Sequence, residues 1–235
     1  MIDNDLLNIV KKYRKGITPM DEAIAYQKKL RSRVVEINSF KRIKTVAGID
    51  LDIFNKEKKI VCGIIVFSYP ELEIIEKFYS VSNEIFPYIP TLLAFREGPA
   101  ILETFEKITI KPDLLMLDGH GLAHPRSFGI ACYIGVMLGI PSFGVAKKKL
   151  FGEYLEPEPY KGRASLLVSK REKNIVGKVL RTKDNVKPVF ISVGNNIDLN
   201  TSVEIALECC RGYRIPEPTR LADKYVAELK KRIVL

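Results

Sequence analysis

Five residues stand where their types and surroundings could do chemistry: Asp50 in "VAGIDLDIF", Glu97 in "LAFREGP", Asp118 in "LLMLDGHGLAHPR", Asp223 in "PTRLADKYV" and Lys147 in "GVAKKKLFG". Aspartate is disfavoured in strands, and one in a central strand has to be exposed, paired or bound to a cation. With a strand period of two, Asp50 and Asp52 share one face with Val46 and Gly48, while Ala47, Ile49, Leu51 and Ile53 share the other. Asp118 ends an apolar run, and ligands of open α/β sheets bind at the carboxyl ends of strands. Gly119 and Gly121 follow it and allow a backbone or a ligand to come close. Each acid also has an ordinary reading. Asp52 fits the solvent side of an alternating strand, Asp118 a turn cap, and Glu97 and Asp223 complements to a helix dipole. Together they suggest hard oxygen ligands for Mg²⁺, with phosphate and water completing the shell. Such a metal activates a water and neutralises a leaving 3′ oxygen, and Lys147 could steady the phosphorus under attack; its ordinary reading is a solvated lysine.

The charge balance points the same way. Basic residues exceed acidic ones by 10, the pI is near 9.3, and residues 147–187 alone hold 12 basic and 5 acidic side chains. A polyanionic partner, nucleic acid above all, is the natural inference, although a lysine-rich composition by itself gives similar values. No apolar run approaches the ~18 residues of a membrane span. The opening "MIDNDLLNIVKKYRKG" lacks the order of a signal peptide, so a cytoplasmic protein is expected. Cys62, Cys132, Cys209 and Cys210 form no C-x-x-C pair, and the chain has only two histidines, which argues against zinc and for reduced, buried thiols.

The elements that must position these residues are legible in outline. "TPMDEAIAYQKKLRSRVVEI" opens with Thr18 as cap, Pro19 in the first helical position and Asp21 in the capping-box place, and Ala23, Tyr26, Leu30, Val34 and Ile37 recur at helical spacing. Three strand-like segments follow, "VAGIDLDIF", "IVCGIIVFSY" and "ELEIIEKFYSVS", the first two joined by the hairpin-sized "NKEKK". Residues 99–107 read as a helix with Pro99 in its first turn, which places Glu97 at its entrance. "LLMLD" is a short buried strand, residues 125–139 a helix, and "PSFGVA", "ASLLVSK", "IVGKVL" and "PVFISVG" further strands. Two helices close the chain, one capped by Thr201, the other carrying Leu221, Tyr225, Leu229 and Ile233 on one stripe. Antiparallel strands followed by alternating helices and strands predict an α/β architecture, a mixed central sheet flanked by helices, as in ribonuclease H-like folds.

"PYIP", Pro87 to Pro90, is a stiff apolar finger just ahead of Glu97; taken alone it reads as a proline-rich turn. Taken in order, however, "AGID", "PYIP" with "LAFRE", "LDGHGLAHPR", "GVAKKKLFG" and "GYRIPEPTRLAD" resemble the endonuclease V (deoxyinosine 3′ endonuclease) family over roughly residues 20–230. The resemblance implies a ribonuclease H-like fold, a single catalytic domain over residues 1–235, and a requirement for Mg²⁺ with Mn²⁺ as a substitute. It further implies nicking of DNA at the second phosphodiester bond 3′ to a deaminated adenine, leaving 3′-hydroxyl and 5′-phosphate ends. Carried over by motif, Asp50 and Asp118 hold the metal, Glu97 completes the acidic cluster, Lys147 sits at the scissile phosphate and His124 lies near the DNA backbone. Pro87, Tyr88, Ile89 and Pro90 form a wedge that replaces lost stacking while the lesion turns out into a pocket. Thr91, Gly119, Gly121 and Leu150 are the pocket candidates. Many members have Gly after PYIP where this chain has Thr91, and many have His where it has Asn195, which removes a titratable group expected near the site. Some carry His in place of Asp223, leaving its part as a ligand open. The same chemistry directed at inosine in RNA, or a protein that marks deaminated bases without cutting, are the alternatives; a monomer is the default.

Overall fold

The computed structural model describes residues 6, 8–9, 12, 20–54, 59–83 and 86–234. The expected cap at Thr18 and Pro19 and most of the "NKEKK" link lie outside them. Strands β1 (Thr45–Phe54), β2 (Lys59–Ser68), β3 (Ile74–Asn83), β4 (Leu114–Leu117), β5 (Ser142–Ala146), β6 (Ala164–Val168), β7 (Ile175–Leu180) and β8 (Val189–Asn195) form one sheet among the described residues. Its order is β3-β2-β1-β4-β5-β8-β7-β6. β1, β4 and β5 run parallel and the outer pairs antiparallel, so the predicted mixed sheet is present, and the fold is ribonuclease H-like. The central strands are apolar on both faces because helices cover both.

Helix α1 (Met20–Arg31) buries Ala23, Tyr26 and Leu30 as the spacing predicts, but stops at Arg31. Val34 and Ile37 therefore do not continue its stripe. The Val35 N–H instead donates to Asn195 Oδ1 at 2.9 Å, and its carbonyl accepts from Asn196 N–H at 2.7 Å. The end of β8 thus holds this β-branched segment outside the helix.

Helix α2 (Leu93–Phe105) starts well before the expected residue 99, with Pro99 inside it. A proline removes one backbone hydrogen bond. Burial of Phe95, Ala100, Ile101 and Leu102 carries the helix across that gap, at roughly 1.5–3 kcal/mol for each large side chain. Helix α3 (Ile130–Leu138) starts later than predicted, because residues 120–129 are tied back on themselves: Gly129 N–H donates to Gly121 O and Ala131 N–H to His120 O. Helix α4 (Leu199–Glu208) is capped by Asp198, whose carboxylate accepts from the Thr201 N–H at 2.8 Å, not by Thr201 itself.

Helix α5 (Glu217–Val234) packs on β1 and β2 through Ala222, Val226 and Leu229, while the predicted Ile233 is exposed. α2 and α3 pack against each other; α2 lies on β2 and β3, and α3 on β5 and β8. All four cysteines are buried and free. Among the described residues no helix is long and apolar enough to cross a membrane.

Candidate metal centre and base pocket

The parallel pairing of β1 with β4 ends at Ile49 and Leu117, and the Asp118 N–H donates to Ile49 O at 3.3 Å. Asp118 thus emerges at the carboxyl end of β4 at the level of Asp50, which lies within β1 where its parallel partner stops. The even-numbered face of β1 is covered by α5. Gly48 makes this possible: a Cβ there would lie 2.0 Å from Pro218 O. The same close approach sets Asp223 over Asp50, and further along Lys230 meets Asp52 at 2.7 Å. Carboxylate oxygens of Asp50, Asp118 and Asp223 all lie within 4.8 Å of one another.

Lys147, just past the end of β5, completes the cluster. Its Nζ is 2.6 Å from Asp118 Oδ2 and 2.8 Å from Asp223 Oδ2. Burial opposes the charge on Lys147, but the two carboxylates outweigh it and hold its pKa above the ordinary value. Asp50 is pushed up to about 7, by burial first and then by Asp118 and Asp223, with Lys147 pulling the other way.

Glu97 lies in the second turn of α2, not at its entrance, and lines a cavity with Ile49, Asp50, Leu51, Asp118 and Ile130. It is outside the tight triad yet feels its charge. Burial raises its pKa to about 8; Arg96 lowers it, and Asp50 and Asp118 raise it further. Three carboxylates converging at one point, with two acids there reluctant to ionise, fit a hard divalent cation.

A second cavity of about 160 Å³ adjoins the first through Leu93 and Ile130. Cavities of about 150 Å³ admit a six-membered ring. It is lined by Tyr88, Thr91, Gly119, His120, His124 and Leu150, with Gln27 and Phe128 behind. Phe86 and Ile89 anchor the PYIP segment in the core, leaving Tyr88 63% exposed at the mouth opposite the half-exposed Leu150. Pro87 is partly buried and Pro90 exposed. Arg96 lies over the Tyr88 ring, 5.7 Å from its centre.

Three expectations need correction. Gly121 does not line this cavity: its N–H donates to Ser192 Oγ and a Cβ would fall 1.9 Å from Val193 O, so it serves close packing on β8. His124, expected near the DNA backbone, is buried in the cavity wall; its Nε2 bonds the Thr91 carbonyl at 3.0 Å and its Nδ1 accepts from Arg126 N–H. Asn195 pairs with Ser142 at the opposite end of β5 from Lys147, where it bonds Val35 and Gly135, so its replacement of His leaves the site untouched.

Gln27, Arg126 and His120, which the motifs did not single out, frame the pocket around Thr91. Thr91 has φ +68°, the left-handed region that favours glycine. Its carbonyl accepts from Gln27 Nε2, and Arg126 Nη2 donates to both its carbonyl and its hydroxyl at 2.6 Å. Arg126 Nε also reaches Gln27 Oε1. A buried glutamine at helical spacing carries no sequence signal of this kind. Burial lowers the His120 pKa to about 4, keeping the ring neutral.

A family model described as Endonuclease V matches residues 28–224. Endonuclease V of Dictyoglomus thermophilum is 46% identical over 205 residues, covering 87% of this chain and 88% of that protein. The crystal structure of endonuclease V from Streptomyces avermitilis superposes with a TM-score of 0.86 at 36% identity, covering 92% and 94% of the two chains. Endonuclease V of Ciona intestinalis, crystallised with a 24mer DNA containing an inosine followed by a ribo-adenosine, gives 0.82 at 26% identity, covering 91% and 98%. With a carboxylate triad where β4 ends beside β1 and this degree of likeness along nearly its whole length, the chain belongs to the endonuclease V family of metal-dependent DNA repair nucleases.

Proposed function

We propose that this chain is a Mg²⁺-dependent endonuclease, with Mn²⁺ as a substitute, that nicks DNA at the second phosphodiester bond 3′ to deoxyinosine and leaves 3′-hydroxyl and 5′-phosphate ends. Residues 1–235 act in this reading as one catalytic domain. The observation that carries it is the adjacency of two cavities, one lined by Asp50, Asp118 and Glu97 beside Asp223, the other base-sized with Tyr88 lining it, which share Leu93 and Ile130.

Asp50, Asp118 and Asp223 would hold the metal, with Glu97 at its edge. When bound, Mg²⁺ supplies Lewis acidity toward water and phosphate oxygen. Lys147 stays charged between Asp118 and Asp223 and presents its ammonium where a phosphate would approach. Glu97, raised to about 8, holds or releases a proton near neutrality and is suited to pass one to or from a reacting oxygen. Tyr88 stacks on the base left behind, its position secured by Phe86 and Ile89. The base turned out of the helix enters the cavity, and a mispaired base costs least to extrude.

An end-labelled duplex with one deoxyinosine, incubated with Mg²⁺ or with EDTA, tests this. A Mg²⁺-dependent product ending one nucleotide beyond the lesion is expected. A matched RNA with one inosine is the parallel arm; the ribo-adenosine in the Ciona complex makes it the reading to exclude. Cleavage of RNA alone, or tight binding with no cut in either strand, overturns the proposal.

A further inference from the structure

His120 lines the base-sized cavity beside Gly119, and its Nε2 is buried with no hydrogen-bond partner among the described residues. The neighbouring polar side chains of the same cavity are committed. Gln27 donates to Thr91 O and Phe128 O and accepts from Arg126. Both ring nitrogens of His124 are bonded. Buried polar atoms in folded proteins are nearly always paired, and one left over in a recognition cavity is explained by a ligand that pairs it.

A neutral imidazole carries its proton on one nitrogen and a lone pair on the other. With the proton on Nδ1, the unpartnered Nε2 presents its lone pair to a ligand in the cavity and accepts.

We propose that His120 Nε2 accepts the ring N–H that deamination creates, and so determines which bases this chain takes up. The inference rests on the proposed function and deepens it. Adenine presents a lone pair at N1 and cytosine one at N3; hypoxanthine and uracil present an N–H at those atoms. Adenine in the cavity would set two acceptors against each other, both buried. A site built to pair a substrate N–H rejects an analogue lacking it far more strongly than an apolar pocket does. Xanthine keeps its N1–H and is accepted on the same ground. Guanine also has N1–H, so its exclusion falls to the shape of the cavity around the 2-amino group.

The test uses the full chain in EDTA, so that binding is read apart from cutting. Duplexes carry deoxyinosine, 1-deaza-deoxyinosine (N1–H replaced by C–H) or deoxyadenosine at one position, and affinity is followed by fluorescence anisotropy. The unaltered chain should lose on the order of tenfold or more between deoxyinosine and the 1-deaza analogue. His120→Leu should bind those two alike, while His120→Gln, which keeps an acceptor, should retain part of the preference. His120→Phe, which likewise has no acceptor, replaces the leucine variant if that chain does not fold. Equal binding of deoxyinosine and its 1-deaza analogue by the unaltered chain overturns this inference alone. So does a full preference persisting in His120→Leu or His120→Phe. No preference for deoxyinosine over deoxyadenosine overturns it together with the proposed function.

Discussion

The Lys147 ammonium lies 2.6 Å from Asp118 Oδ2 and, in the same position, 2.8 Å from Asp223 Oδ2. It bridges two of the three carboxylates that would hold a metal, so in the metal-free chain it is itself the counter-charge of the cluster. Replacing Lys147 with Met should reduce nicking by about 10²–10³-fold, the cost of removing one preorganised donor from a transition state. Lesion binding should be retained. Mn²⁺ affinity, measured calorimetrically, should be equal or higher, because no ammonium competes for Asp118 and Asp223. Loss of Mn²⁺ binding would instead give Lys147 a structural part in the site.

Asp50 at about 7 and Glu97 at about 8 set a pH signature. Both folded-state values lie above the ordinary carboxylate range, so the folded chain keeps protons that the unfolded chain has released. Stability of the metal-free protein therefore falls as pH rises from about 4 through 8. In EDTA the Tm should be higher at pH 6 than at pH 9; Mg²⁺ should narrow the gap by replacing those protons, and Asp50→Asn should flatten it. Nicking at limiting Mg²⁺ should rise between pH 7 and 8 as the carboxylates ionise. A pH-independent Tm in EDTA would show that these acids are ionised throughout.

Gly48 decides whether α5 can deliver Asp223. With a Cβ 2.0 Å from Pro218 O, Gly48→Ala must move backbone, at a cost of about 1–3 kcal/mol. Mn²⁺ affinity should fall with it, since Asp223 retreats. Gly63→Ala meets only the side chains of Val226 and Tyr225 and should cost less. Equal Tm losses in the two variants, with Mn²⁺ binding intact in both, would separate Gly48 from the metal centre.

Thr91 bears a β-branched side chain at φ +68° and ties its hydroxyl to Arg126. Thr91→Val keeps the strain and loses that bond, and should lower stability by about 1–2 kcal/mol. Thr91→Gly loses the same bond but sheds about 1–2 kcal/mol of left-handed strain, so its Tm should stay close to that of the unaltered chain. The glycine variant also widens the cavity. In competition binding it should gain affinity for deoxyxanthosine relative to deoxyinosine, whereas the valine variant should not.

Much of the metal centre was legible because short-range rules carry it. The period of two along β1 put Gly48, Asp50 and Asp52 on one face, and that face is the one α5 covers. An acid ending the apolar run "LLML" had to emerge at a strand end, and Asp118 does. The order of apolar segments sufficed for the mixed sheet, because strands buried on both sides show it in composition. Boundaries were harder. Pro99 suggested a helix start, yet burial of the surrounding apolar residues outweighs one missing hydrogen bond, so Glu97 sits inside α2.

What the sequence by itself determined is which residues share a face and which end their strands, together with the motifs of an endonuclease V. The tertiary structure alone decided what those faces meet. Asp223 and Lys147 are 76 residues apart and become ligand-distance neighbours only because Gly48 admits α5 onto β1. Gly121 turned out to pack on β8, His124 to hold Thr91, Asn195 to lie at the far end of its strand, and His120 to line the cavity with an Nε2 that has no partner among the described residues. Local periodicity records the side on which a residue lies. Its partner is set by long-range packing, where close backbone approach and the pairing of buried polar atoms select one arrangement from many.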